Sequence, residues 1–207
     1  AVYITQDIGT AIQRFKDYSF SEMVYTVGNE QEYHFKVLFE ILGKLGFEQG
    51  ERCHHLSYGM VELPEGKMKS REGTVVDADD LLAEMRQTAE AVAVEAGKLD
   101  NIPKEDRPEL FKRVGYGALK YFLLKVDPKK SIMFDPKSSI DFIGNTGPYI
   151  QFNYVRSRSV LRNAQIEDAS LLNVNSNVCF DDVEKALLMT ALSLPEVIEE
   201  AARLYDP

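Results

Sequence analysis

Hydrophobic positions in the first third of the chain follow two periodicities. Residues 2–5 (VYIT) are short, β-branched and aromatic, which predicts a strand. A helix is predicted next by apolar residues at helical spacing: Ile8, Ala11, Ile12 and Phe15. Residues 23–27 (MVYTV) predict a second strand, and residues 33–42 predict an amphipathic helix. This order of strand, helix, strand and helix predicts a parallel sheet with helices on its faces.

The pattern changes from α/β to all-α near residue 100. Residues 52–58 predict another strand, and Asp77 is the predicted N-cap of a helix that ends near residue 97. The segments that follow are predicted to be helical: 112–125, 138–142, 148–164 and 181–204. Pro195 is expected to kink or break the last helix. We therefore predict two domains, an α/β domain over residues 1–105 and a helical domain over residues 106–207.

The most distinctive loop lies between the strand at 52–58 and the helix that begins after Asp77. Residues 66–73 (GKMKSREG) combine flanking glycines with two lysines, an arginine and a serine. Such a flexible cationic loop suits a triphosphate, although the Walker A order is absent. Taken alone, the eight residues are more typical of a solvated basic loop. Their position at the carboxyl end of a predicted parallel strand favours nucleotide binding.

Composition limits the class of protein. The chain has 207 residues and a formal net charge of −9, which argues against a body coated by nucleic acid but leaves room for local basic stretches at 112–130 and 156–162. No apolar run approaches the roughly 20 residues of a membrane span. The two cysteines, Cys53 and Cys179, are far apart in sequence. We therefore expect neither a disulfide framework nor a metal site, and we expect the protein to reside in a reducing cytoplasm.

The cationic loop and four other segments resemble a known family. Residues 67–71 (KMKSR) are similar to the KMSKS signature of class I aminoacyl-tRNA synthetases. Four segments resemble arginyl-tRNA synthetases and occur in the family's order: 3–9 (YITQDIG), 25–31 (YTVGNEQ), 55–61 (HLSYGMV) and 144–151 (GNTGPYIQ). The resemblance implies the C-terminal half of a Rossmann-type catalytic domain followed by the first helices of an anticodon-binding bundle.

The resemblance also implies a reaction and its partners. Arginyl-tRNA synthetases use ATP, with Mg²⁺, to convert L-arginine to arginyl-adenylate and then transfer the arginyl group to tRNA(Arg). ATP is a substrate in this reaction, and no tightly bound cofactor is implied. The parent protein is expected to be a monomer in the cytoplasm without membrane association.

Three positions match the family residues that recognise the arginine side chain: Tyr3, Asp7 and Gln31. A guanidinium is a rigid fork of donors, which a carboxylate such as Asp7 accepts in a bidentate manner. A tyrosine and an amide complete the polar rim. Without the motif, Asp7 would be interpreted as a helix N-cap and Tyr3 as a sheet-packing residue.

ATP-binding positions are implied in two segments that follow strands. Gly28 and Glu30 match the segment that holds the ribose, because glycine allows close backbone approach and a carboxylate binds hydroxyls. Glu30 would otherwise simply favour the first turn of a helix. His55, Met60 and Val61 match the segment beside the adenine, although a lone histidine is more often structural. His34 and His54 receive no role.

The signature loop supplies the implied catalytic residues. Lys67 matches the first lysine of the signature and Met68 follows it in the implied ATP site. Ser70 stands where many class I enzymes have the second lysine. Lys69 and Arg71 are both candidates for the second positive charge, and the sequence does not choose between them.

Residues 148–164 combine aromatic and cationic side chains, a pattern that suits base stacking and phosphate binding. The candidate tRNA-binding residues are Tyr149, Tyr154, Arg156, Arg158 and Arg162. An amphipathic core helix with a solvated cationic side is an equal alternative for each of them.

The sequence contains no HIGH-type motif, the second signature of class I synthetases. We therefore expect the chain to be an internal fragment that is inactive alone. Two other functions stay open: another class I synthetase or nucleotidyl transferase, and a non-catalytic RNA-binding module.

Overall fold

The computed structural model describes residues 2–62, 77–97, 99–100, 102–165 and 178–207. The chain forms two compact units: the first comprises Ala1–Glu62 and Val126–Met133, and the second comprises Leu63–Lys125 and Phe134–Pro207. The chain thus returns to the first unit after leaving it. The division at residues 105 and 106 differs from these units and stays a prediction about domains.

The first unit contains the predicted parallel sheet. Strand β1 (Met23–Gly28) pairs with strand β2 (Cys53–Tyr58), with Met23 opposite Cys53 and Gly28 opposite Tyr58. Helix α2 (Glu32–Lys44) lies between the two strands in the chain. Short 3₁₀ helices precede and follow it at Asn29–Gln31 and Glu48–Arg52. The strands predicted at 23–27 and 52–58, the helix predicted at 33–42 and the parallel order are confirmed.

The predicted strand at residues 2–5 is wrong, because helix α1 spans Val2–Asp17 without interruption. The helix continues the spacing of Ile8, Ile12 and Phe15 back to Ile4, and all four side chains pack against one core. The buried centre of that core is Ala11, Phe35, Leu38 and Leu42. Packing of this stripe outweighs the local β propensity of the first residues.

A second, very short strand pair completes the first unit. Strand β3 (Val61–Glu62) runs parallel to strand β4 (Ile132–Met133), and Ile132 N donates to Met60 O over 2.9 Å. Gly59 is required at this junction because a Cβ there would overlap the backbone of Lys130. Neither β3 nor β4 was predicted from the sequence.

The described elements of the second unit are helices, and they include the helix after Asp77 that the predicted boundary assigns to the α/β domain. The helices of the second unit are α3 (Ala78–Glu95), α4 (Arg107–Leu124), α5 (Pro136–Ser139), α6 (Gly147–Asn163) and α7 (Asp182–Leu204). Helix α4 packs against both α3 and α6. The buried residues of the second unit include Met85, Phe111, Ala118 and Phe134. None of the described helices is long and apolar enough to cross a lipid bilayer.

Polar caps set the beginnings of these helices. Asp77 is the predicted N-cap of α3, and its Oδ1 accepts from Asp79 N over 3.3 Å. Thr146 caps α6, and Asp181 forms a reciprocal capping box with Glu184 at the start of α7. Pro195 lies inside α7 and does not end it, so the expected break is excluded and the expected kink stays a prediction.

Two glycines allow the helices of the second unit to approach closely. A Cβ at Gly115 of α4 would lie 2.6 Å from the carbonyl oxygen of Met85 in α3. A Cβ at Gly147 of α6 would lie 2.5 Å from the carbonyl oxygen of Gly117. Gly147 belongs to segment 144–151, one of the segments that resemble arginyl-tRNA synthetases. This segment therefore includes a close backbone contact between α4 and α6.

Candidate functional site

Asp7 makes a long-range contact in the first unit. The residue lies inside α1, so it is not the N-cap that was considered as an alternative role. Its Oδ2 is 2.6 Å from Nε2 of His34 in α2, a contact that joins residues 27 positions apart. Asp7 is half-buried, and within the described part of the chain its Oδ1 accepts no hydrogen bond. His34 therefore holds one of the two carboxylate oxygens of Asp7.

Of the other two implied arginine-binding residues, Tyr3 lies on α1 and Gln31 lies in the 3₁₀ helix that precedes α2. Tyr3 is exposed one helical turn before Asp7, so it shares a face of α1 with that carboxylate. Gln31 is exposed at the end of the 3₁₀ helix, three residues before His34. Among the described residues, neither Tyr3 nor Gln31 hydrogen-bonds Asp7.

Four of the implied ATP-binding residues follow the carboxyl ends of the paired strands. Gly28 ends β1 and Glu30 is exposed in the 3₁₀ helix after it, while Met60 and Val61 follow the end of β2. Gly28 is paired with Tyr58, so both connections leave the same edge of the sheet. This edge is where parallel α/β folds bind ligands.

His55 is placed differently from the other implied ATP-binding residues. It lies in the middle of β2 opposite Tyr25, and its Nε2 is 3.0 Å from Val27 O of β1. Its ring stacks against Phe35, with 4.5 Å between the centroids. The side chain thus links the two strands to the aromatic core, and its role at adenine stays a prediction.

Tyr25 is a partly buried titratable group that interacts electrostatically with Asp7. Burial raises the pKa of Tyr25, nearby Cys53 raises it further, and the adjacent Arg14 guanidinium opposes the shift. The Arg14 guanidinium carbon is 5.7 Å from the centre of the Tyr25 ring. Arg14 and Asp7 also line a shallow surface depression of about 690 Å³ along α1. The sequence patterns gave Arg14 no role.

Cys53 is expected to be a slow nucleophile. Burial raises the pKa of its thiol, and Sγ donates to Gln49 O over 3.4 Å, so formation of the reactive thiolate is disfavoured. We expect iodoacetamide to alkylate Cys53 at least about 10-fold more slowly in the folded protein than in urea. Mass-spectrometric peptide mapping measures both rates, with the exposed Cys179 as the internal control. Equal rates for Cys53 in the two conditions would contradict the expectation.

The implied catalytic loop lies outside the described residues. Lys67, Met68 and Ser70 all fall between Glu62 and Asp77, and so do Lys69 and Arg71. Their roles stay predictions from the sequence. Within the described residues, no group of three or more histidine, cysteine, aspartate or glutamate side chains is arranged to hold a metal ion.

Helix α6 carries the candidate tRNA-binding residues in the second unit. Each of them is exposed: Tyr149, Tyr154, Arg156, Arg158 and Arg162. The helix contains no aspartate or glutamate, so its arginines face no carboxylate from their own element. The Arg156 guanidinium carbon lies 5.6 Å from the centre of the Phe152 ring. Exposure of these side chains fits both a tRNA-binding surface and the solvated side of an amphipathic helix, so their role stays a prediction.

Known proteins resemble this chain over its full length. A relative from Flavobacterium psychrophilum named arginine–tRNA ligase is 56% identical over 208 residues, which cover 100% of this chain and 34% of the relative. An arginine–tRNA ligase from Parabacteroides distasonis is 55% identical, over 100% of this chain and 35% of that relative. The chain therefore spans about a third of the length of these curated relatives.

Solved structures and a family comparison agree with these relatives. Thermus thermophilus arginyl-tRNA synthetase matches with a TM-score of 0.74 at 29% identity, over 90% of this chain and 30% of that one. Arginyl-tRNA synthetase from Plasmodium falciparum matches with a TM-score of 0.71 at 19% identity, over 95% of this chain and 33% of that one. At this identity the match supports the fold alone. The family described as tRNA synthetases class I (R), catalytic domain, matches residues 1–135. Because that match spans more than half of the chain, the protein belongs to the class I (R) tRNA synthetase family.

Proposed function

We propose that the full-length protein containing this chain is an arginine–tRNA ligase. The observation that carries the proposal is the family match over residues 1–135, together with relatives of that name at more than 50% identity. The protein would join arginine to tRNA(Arg) in two steps, first forming arginyl-adenylate from ATP and then transferring the arginyl group. We place it in the cytoplasm as a monomer.

Arginine recognition is assigned to the first unit. The Asp7 carboxylate would accept the guanidinium in a bidentate manner, since an ionised carboxylate has about four lone-pair sites and His34 occupies one. The polar rim would be supplied by Tyr3, which lies one helical turn before Asp7, and by Gln31, which ends the 3₁₀ helix after β1. The exposed positions of both side chains are compatible with ligand contact.

ATP is assigned to the carboxyl edge of the sheet. Gly28 and Glu30 would hold the ribose, and the backbone near Met60 and Val61 would lie beside the adenine, with His55 behind it. Lys67 and Ser70 would act on the phosphates together with Met68 of the same loop. Mg²⁺ would accompany ATP and neutralise its phosphates. The work of the protein here is positioning and stabilisation of developing charge.

Helix α6 is proposed as a tRNA contact surface. Exposed aromatic rings stack unpaired bases, and arginines without competing carboxylates hold phosphates. Tyr154, Arg158 and Arg162 are spaced at i, i+4 and i+8, so they form one stripe of the helix. An extended stripe of this kind is suited to the backbone of a nucleic acid.

The α6 surface gives a prediction for tRNA affinity. In the full-length protein, replacing both Arg158 and Arg162 with Ala should raise the KM for tRNA by about 10-fold and reduce the salt dependence of tRNA binding. The KM for arginine should stay within about 2-fold of wild type, because the lost contacts are to phosphate only. Arg203→Ala on α7 is the matched control. An equal effect of that control would contradict a specific α6 surface.

Charging of tRNA tests the proposed function. The full-length protein is incubated with ATP, Mg²⁺ and bulk tRNA, and each of the twenty amino acids is supplied separately in labelled form. We expect label on tRNA with arginine alone. Charging with a different amino acid would identify another class I synthetase, and tRNA binding without any charging would identify a non-catalytic RNA-binding module.

A further inference from the structure

We propose that His34 is a positioning residue of the arginine site, which acts by holding the Asp7 carboxylate in a fixed orientation. The inference rests on the proposed function, because it gives Asp7 the role of accepting the guanidinium. His34 received no role from its sequence context. Its assignment comes from the distance of 2.6 Å between its Nε2 and Asp7 Oδ2.

The chemistry of the two groups fixes the direction of this hydrogen bond. An ionised carboxylate oxygen only accepts, so the imidazole Nε2 must carry the proton and donate it. The bond is short, as expected for a donor that meets an ionised acceptor. It restrains rotation of the carboxylate about its terminal torsion, which is otherwise broad. Bidentate recognition of a planar guanidinium requires that torsion to be correct.

The imidazole itself is held by the core of the first unit. His34 meets the ring of Phe35 edge-on, with 5.5 Å between centroids and planes at 87°. Phe35 is buried and contacts both Tyr25 and His55 through its own ring. The orientation of Asp7 is therefore tied, through His34, to side chains that pack on β1 and β2.

A positioning role and a purely structural role make different demands on His34. His34 is about a quarter exposed and Asp7 is nearly half exposed at the side chain, so the contact lies at the margin of the core. Loss of a structural tie would lower stability and move every kinetic constant. Loss of orientation would weaken arginine binding alone, because ATP is assigned to the carboxyl edge of the sheet.

The test uses three substitutions of His34 in the full-length protein. His34→Gln places an amide Nε2 near the position of the imidazole Nε2, whereas the shorter amide of His34→Asn does not reach it. His34→Leu retains an apolar contact with Phe35 and removes the donor. We expect His34→Leu and His34→Asn to raise the KM for arginine by about 10-fold, while kcat and the KM for ATP stay within about 2-fold of wild type. We expect all three constants of His34→Gln to stay within about 3-fold of wild type.

A double-mutant cycle tests whether His34 acts through Asp7. In an Asp7→Ala background, adding His34→Leu should change the KM for arginine by less than about 2-fold, because the group it orients is gone. Independent, multiplicative effects would overturn the proposal. An unchanged KM for arginine in His34→Leu would also overturn it, and so would parallel changes in all kinetic constants that His34→Gln does not rescue. Failure of the wild-type protein to charge tRNA with arginine would instead overturn the proposed function, on which this inference depends.

Discussion

Replacing Asp7 with Asn in the full-length protein is expected to raise the KM for arginine by about 100-fold, since truncating one partner of a hydrogen-bonded charge pair typically costs about 2–5 kcal/mol. Asparagine keeps the size of the side chain and an acceptor for His34, but it loses the negative charge and the second acceptor oxygen. The KM for ATP should stay within about 2-fold, because the proposed ATP residues lie at the carboxyl edge of the sheet. Steady-state charging of tRNA measures both constants.

Asp17→Asn is the matched control for this substitution. It makes the same chemical change on the same helix, at an exposed residue whose Oδ1 accepts from Gln13 Nε2 over 2.8 Å. We expect the control to leave both KM values unchanged. A rise in the KM for arginine of less than about 3-fold in Asp7→Asn would remove Asp7 from the arginine site.

Replacing Gly115 with Ala is expected to destabilise the second unit by about 1–3 kcal/mol. A Cβ at this position would lie 2.6 Å from the Met85 carbonyl oxygen and 2.8 Å from its carbonyl carbon. These atoms belong to the backbone of α3, so relief requires the two helices to move apart. The apparent Tm should fall by several degrees, which thermal unfolding of the variant beside wild type measures.

Gly117→Ala is the control for this second prediction. It lies two residues further along α4, where a new Cβ would be 2.5 Å from Nε2 of Gln151, the far end of a flexible side chain. That amide can turn away at the cost of its hydrogen bond to Arg113 O. The gain in helix propensity, up to about 1 kcal/mol, offsets this loss, so we expect a Tm near that of wild type. Equal losses at both positions would contradict the specific role of the α3 backbone.

The sequence pattern predicts elements well where local propensity and periodicity agree. Apolar runs gave β1 and β2, and Asp77 marked the start of α3. Residues 2–5 were misassigned because their β propensity opposes a helical stripe that Ile4 extends, and packing of that stripe decides the outcome. Strand β4 was missed because two residues carry no usable periodicity and their partner, β3, lies about 70 positions away.

The site was predictable only in part, for a related reason. Motifs identify Asp7 and Gln31 as residue types in a familiar order, and the resemblance gives them roles. His34 has no such motif, because its importance depends on a side chain 27 positions away. The sequence offered only a weak signal, which was spacing. His34 lies in the first turn of α2, three residues after Gln31, and residues at this spacing are neighbours on a helix.

A crystal structure of the full-length protein with arginine bound tests the central claim most directly. The distance to measure joins the guanidinium nitrogens of the ligand to the two carboxylate oxygens of Asp7. We predict two distances of about 2.7–3.0 Å, with His34 Nε2 still donating to Oδ2. A guanidinium bound away from Asp7, beyond about 4 Å from both oxygens, would contradict the assignment of the arginine site to the first unit.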